Sequence, residues 1–257
     1  MGGGISTVST PANYHNLSPE QKIEYYNKFE ILLASGKSSD EAIEILSLEV
    51  VTPNVVTIEL TNLIDAINAA VEKGKTPLVV DRSADDKVNT FFNYQTVSML
   101  DGKKMGLDQS MRNISLVNIL DGARMKIVTA LKFGRPLVIV MSTSTIDFAN
   151  VFNDDHLTKS RAEGKMFFPL EIFKGAGRGL LRQEFMNGLF REEDKADTNG
   201  FAICKSPDTF HTVITSRFAP ADFEDYLFRS DGYGLPGPKN NYEFIVIHHD
   251  ADVELMI

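Results

Sequence analysis

The chain has 257 residues, enough to bury the core of one large domain with a small appendage. Its 43% apolar and 24% charged composition is that of a globular protein, and a net charge of −9 argues against a broad basic face and so against nucleic acid as a partner. A lone cysteine, Cys204, excludes an intramolecular disulfide and the usual zinc thiolates. No apolar run approaches the roughly 20 residues that span a bilayer, and no secretory segment follows Met1, so an intracellular, cytoplasmic protein is expected.

The chain opens MGGGIS. Gly2 with Ser6 fits the N-myristoylation pattern, in which an unsubstituted, flexible glycine amine receives the acyl chain once Met1 is removed. Gly2 is therefore the expected lipidation site, within a flexible arm over residues 1–17. A single myristoyl chain gives only marginal, reversible membrane binding. No polybasic run stands nearby to reinforce it, so the protein is expected to visit a membrane or to bury its acyl chain in a partner.

Residues 18–50 read as a helical hairpin. Ser18 is placed as N-cap, Pro19 at the first helical position and Gln21 as the closing residue of a capping box. Ile23, Tyr26, Phe29 and Leu33 form the apolar stripe, and Gly36 ends it. A second helix restarts at Ser39-Asp40-Glu41.

From 55 to 257 the pattern is that of one continuous α/β domain. Leu60, Leu63, Ile64, Ile67 and Val71 recur at helical spacing until Gly74. Pro77 to Val80 reads as a short buried strand, Val88 to Tyr94 as a helix and Val97 to Leu100 as a second strand. Val117 to Phe133 predicts a long helix with Val117, Leu120, Met125, Val128 and Leu131 inward and Gly134 beyond its end. PLVIVM, Pro136 to Met141, is apolar throughout, as in strands buried on both faces of a parallel sheet. Phe210 to Ile214 and Phe244 to Ile247 are two further strands, and DGYGLPGPKNN is a loop. Strands alternating with helices predict a three-layer α/β sheet.

Three blocks carry a resemblance. Pro77-Leu78-Val79-Val80-Asp81, then Ala130-Leu131-Lys132-Phe133-Gly134-Arg135-Pro136, then Phe210-His211-Thr212-Val213-Ile214-Thr215-Ser216-Arg217 follow one another in order over roughly Leu63 to Phe218. Together the pattern resembles the degenerate fifth AAA module of dynein heavy chains. The resemblance implies a P-loop-type parallel sheet with strand order 5-1-4-3-2, counted from the strand at Thr76. It also implies protein partners of cytoskeletal or ciliary kind. The chain ends about ten residues after the last strand, so no AAA-type helical lid is expected.

The same resemblance places a phosphate loop after Val80, where the chain reads Asp81-Arg82-Ser83-Ala84-Asp85-Asp86-Lys87-Val88-Asn89-Thr90. A working loop needs glycines whose N–H groups converge on phosphate, a lysine and a magnesium-holding hydroxyl. No glycine is present, and three carboxylates would repel a triphosphate. Asp85 and Asp86 read as residues that satisfy the helix N-terminus from within. After PLVIV the chain has Met141-Ser142-Thr143-Ser144-Thr145, with no acid to hold magnesium, so no catalytic residue is assigned.

The leading reading is thus a non-catalytic, membrane-tethered interaction or scaffold protein with no cofactor. A nucleotide-binding but non-hydrolysing switch is the alternative, with ATP or GTP near Lys87, Thr90 and Thr215. A divergent nucleoside-phosphate kinase or ATPase is a third. Other motifs read structurally. Lys174 to Leu180 is glycine-rich but lacks a last glycine, and is expected to be a mobile surface loop. Asp197-Thr198-Asn199-Gly200 lacks the flanking carboxylates of a calcium loop. His248-His249-Asp250 could offer metal ligands, but adjacent residues of an extended segment point to opposite faces. No metal is expected.

Overall fold

The computed structural model describes residues 19–39, 42, 55–157, 163–196 and 198–248. The chain divides into two compact units, Met1–Pro53 and Asn54–Ile257. In the first, α1 (Pro19–Ala34) ends at Gly36, whose φ of 90° turns the chain while the Gly36 and Lys37 N–H groups bond back to Leu33 and Leu32. Phe29 is buried, whereas Tyr26 and Ile31 are exposed. Most of the expected second helix, the Ser18 cap and Gly2 lie outside the described residues.

In the second unit the strands are β1 (Val55–Ile58), β2 (Thr76–Val80), β3 (Ser98–Asp101), β4 (Leu137–Ser142), β5 (Thr212–Ser216) and β6 (Tyr242–Ile247). Among the described residues they form one all-parallel sheet in the order β1-β6-β2-β5-β4-β3. The order differs from the expected five-strand 5-1-4-3-2. An unforeseen edge strand, β1, pairs with β6 from Val55 opposite Phe244 to Ile58 opposite Ile247. Without it, the five strands foreseen lie as β6-β2-β5-β4-β3.

Among the described residues the helices are α2 (Leu63–Glu72), α3 (Lys87–Asn93), α4 (Gly102–Ser110), α5 (Leu116–Phe133), α6 (Gln183–Leu189) and α7 (Phe223–Tyr226), with several 3₁₀ segments between them. Alternation along the strands divides the core in two, because successive side chains point to opposite faces. Val79, Val138, Val213 and Ile245 meet Leu63 and Ile67 of α2 and Val88 and Phe92 of α3. Leu78, Val80, Ile139, Ile214 and Phe244 face the other layer, built from α5 and the aromatic cluster of Phe148, Phe168 and Phe173. Helices and loops therefore cover both faces, which is why β2 and β5 are buried at every residue.

Helix α5 begins at Ser115, whose hydroxyl accepts from the Asn118 N–H, and ends at left-handed Gly134. Leu120, Val128 and Leu131 point inward as expected, but Val117 and Met125 are exposed. They fall at the solvent edge of a stripe centred on Ile119, Ala123, Ile127 and Ala130.

The glycine-rich Lys174–Leu180 segment is not a surface loop. Ala176, Gly177 and Leu180 are buried beneath the N-terminal ends of the strands, where Thr76 Oγ1 accepts from the Ala176 N–H at 3.0 Å and donates to the Phe173 carbonyl at 2.9 Å. Gly177 stands at φ 70°, and a Cβ there would meet Thr212 Oγ1 at 2.3 Å. The glycine is required by this close approach.

Candidate functional site

The C-terminal ends of β2, β4 and β5 converge on a shallow crevice, the usual ligand position of an open α/β sheet. It is lined by Asp81, Asp86, Asn89, Ser142, Thr215 and Arg217, with Val88 and Ser216. It holds about 160 Å³ of space, open solvent included.

The polar groups of the crevice are bonded to one another. Asp81 leaves β2 buried, its own N–H donating to the Ser216 carbonyl of β5. One carboxylate oxygen accepts from the Ser83 N–H and the other from the Val88 N–H in the first turn of α3, both at 2.8 Å. The Ser83 hydroxyl accepts from the Lys87 N–H at 3.1 Å. Two of the helix's otherwise unpaired N–H groups are thereby satisfied by side chains that precede it in the chain.

This corrects the capping expected of Asp85 and Asp86. Asp85 is exposed, and Asp86, at left-handed φ 50° and ψ 50°, makes no side-chain bond to the helix N-terminus. Its carboxylate instead accepts from Asn89 Nδ2 at 2.9 and 3.0 Å. Asn89 Oδ1 then accepts from the Thr215 hydroxyl at 2.9 Å, in a buried bond between α3 and β5. Arg217 closes the rim, donating to the Ser83 carbonyl at 2.7 Å while its own N–H bonds to the Ser142 carbonyl.

Of the three residues expected nearest a nucleotide, Thr215 alone lines the crevice. Lys87 and Thr90 are exposed on α3 and outside it. Asn89 and Arg217 were not singled out by their sequence. The signal was weak: an Asn in the first turn of a helix, and an Arg after a strand, acquire partners only when β5 is brought beside β2. Asp147, after β4, is buried too, but accepts from the N–H groups of Asn150 and Gly234 and so ties two loops together.

The remaining motifs resolve as structure. Thr198 donates to the carbonyls of Lys195 and Phe201 within a turn, and Asn199 and Gly200 have positive φ. The His248 N–H extends the β6–β1 pairing to Ile58, while His249 and Asp250 lie outside the described residues. Burial pushes the Cys204 thiol above its ordinary value, away from a reactive thiolate. Among the described residues no group of three or more His, Cys, Asp or Glu is placed to hold a metal ion, and no helix is long and apolar enough to cross a membrane.

No family model, curated protein or solved structure matches the chain.

Proposed function

We propose that the protein is a non-catalytic interaction or scaffold protein, built on a degenerate P-loop-type sheet of the dynein-like kind and tethered reversibly to a membrane through myristate on Gly2. The observation that carries this reading is the Asp81 carboxylate on the Val88 N–H. A phosphate loop directs the first N–H groups of its helix at an anion from solution. Here an anion of the chain itself takes the Val88 N–H, and a serine hydroxyl takes the Lys87 N–H before it.

A triphosphate would have to displace a buried carboxylate, and would then face Asp86 beside it. The Asn89–Thr215 bond gives a second reason to expect an inert crevice: the hydroxyl at the end of β5 is already committed within the protein. What remains available for partners is the outer surface of the α/β unit, with cytoskeletal or ciliary proteins the class implied by the dynein-like pattern.

Complementation in the protein's own cells tests this. Thr215→Val, which removes the hydroxyl of the one residue expected near a nucleotide that lines the crevice, is expected to restore wild-type behaviour, while Gly2→Ala shifts the protein from membrane to soluble fractions. Loss of function in the Thr215→Val variant, with the folded protein at normal abundance, would contradict the inert-crevice reading and favour the nucleotide switch.

A further inference from the structure

The acyl-tether reading, on which this inference rests, leaves a gap: one myristoyl chain needs a second contact for stable attachment. No basic run in the sequence supplies it, but the fold assembles basic residues from distant segments. The half-exposed Phe133 ring at the end of α5 has Lys132 Nζ at 6.0 Å, the Arg135 guanidinium at 4.8 Å and Lys205 Nζ at 5.3 Å from its centre. Lys132 and Arg135 suit the negative end of the helix dipole. Lys205 has no such cause, since it arrives from a segment some 70 residues later, held there by Thr209 Oγ1 bonding to the Gly134 carbonyl.

Among the described residues neither Arg135 nor Lys205 has a carboxylate partner, in a chain whose net charge is −9. The segment that carries Lys205 also alternates. Ala202 is buried and Cys204 half-buried, so Phe201 and Ile203 face outward, 66% and 38% exposed. Asp208 is the only acid in residues 201–209. Arg135 and Lys205 on one ring, next to an aromatic and an aliphatic side chain directed at solvent, are the complement of a surface that is anionic outside and apolar just beneath.

We propose that this face, Arg135 and Lys205 about Phe133 together with Phe201 and Ile203, is the contact surface for a bilayer containing anionic lipid. Cations near such a surface each strengthen binding about fivefold, and interfacial aromatics seat at headgroup level. An acidic protein would satisfy the cations but leaves Phe201 and Ile203 without a comparable apolar layer.

The test uses the full chain acylated at Gly2 by N-myristoyltransferase, or by semisynthesis if the enzyme rejects it, and measures co-sedimentation with vesicles. Acceptance by the enzyme reports on the acyl reading, independently of the patch. Phosphatidylcholine vesicles containing phosphatidylserine are expected to bind the acylated protein at least about 25-fold more tightly than phosphatidylcholine alone, the gain vanishing in concentrated salt. Arg135→Glu with Lys205→Glu should remove at least about 25-fold of that gain and leave binding to neutral vesicles unchanged. Phe201→Ser should weaken phosphatidylserine binding roughly tenfold. Unchanged melting temperatures establish that the variants fold. Equal binding to the two vesicle types, or a phosphatidylserine gain indifferent to the charge reversal, would overturn the proposal. So would a gain confined to a polyglutamate peptide, which would assign the face to an acidic protein.

Discussion

The Asp81 carboxylate accepts the backbone N–H of Val88 at 2.8 Å, across seven residues and from the end of a strand to the first turn of the next helix. With the Ser83 N–H on its other oxygen, a buried charge is held by two donors that would otherwise be unsatisfied in the crevice. This bond fixes the path of the loop, and with it the room left for any ligand.

Asp81→Ala should therefore destabilise the protein by about 3 kcal/mol, since each hydrogen bond to a charged group is worth about 1.5–3 kcal/mol and both donors become orphans. Asp85→Asn, at an exposed position without a capping bond, should change stability by less than about 0.5 kcal/mol. Urea unfolding of the two variants checks the ranking. A larger loss at Asp85 would restore it as the capping residue.

Gly177→Ala should cost at least about 2 kcal/mol, because a methyl at φ 70° meets both Thr212 and the Ile172 carbonyl at 3.1 Å. Gly175→Ala, at φ 52° with its nearest neighbour 3.6 Å away, should lose only about 1 kcal/mol. Equal, small effects would mean that the segment is loosely packed after all. Melting temperatures of the pair decide it.

His211 gives a pH dependence. Burial, opposed by a bond to the Thr209 backbone and aided by the nearby Arg178 charge, brings its pKa from the ordinary 6.5 down to about 4. Between those two pH values the unfolded chain binds a proton that the folded chain does not. The contribution is present above pH 6.5 and is lost as pH falls toward 4, about 3 kcal/mol in all. Urea midpoints of wild type and His211→Gln should diverge over that window, with wild type losing more. Parallel midpoints would place His211 in water.

How much of this was legible follows from where the information sits. β2, β4 and β6 are largely apolar runs that announce themselves in sequence, whereas β5, TVITS, lies two residues beyond the Phe210–Ile214 expected. β1 is four residues, VVTI, and its pairing with β6 is a tertiary choice, so the run merged with the helix that follows it. The limits of α5 were readable from Gly134, but its outer residues Val117 and Met125 are apolar without being buried, and composition alone assigned them inward. In the crevice, the absence of glycines from the loop after β2 was plain. Which acid binds the helix N-terminus was not: three aspartates share the loop, and the choice of Asp81 depends on how Ser83 folds inward and how Arg217 holds its carbonyl.

Thermal unfolding with millimolar ATP or GTP, with and without magnesium, tests the central claim most directly. Ligand at 100 times its dissociation constant adds about 2.7 kcal/mol, a rise of roughly 5–10 °C for a domain of this size. A crevice already occupied by Asp81, Ser83 and the Asn89–Thr215 bond predicts no rise with either nucleotide. A rise of several degrees that disappears in Thr215→Val would contradict the account and make the crevice a working nucleotide site.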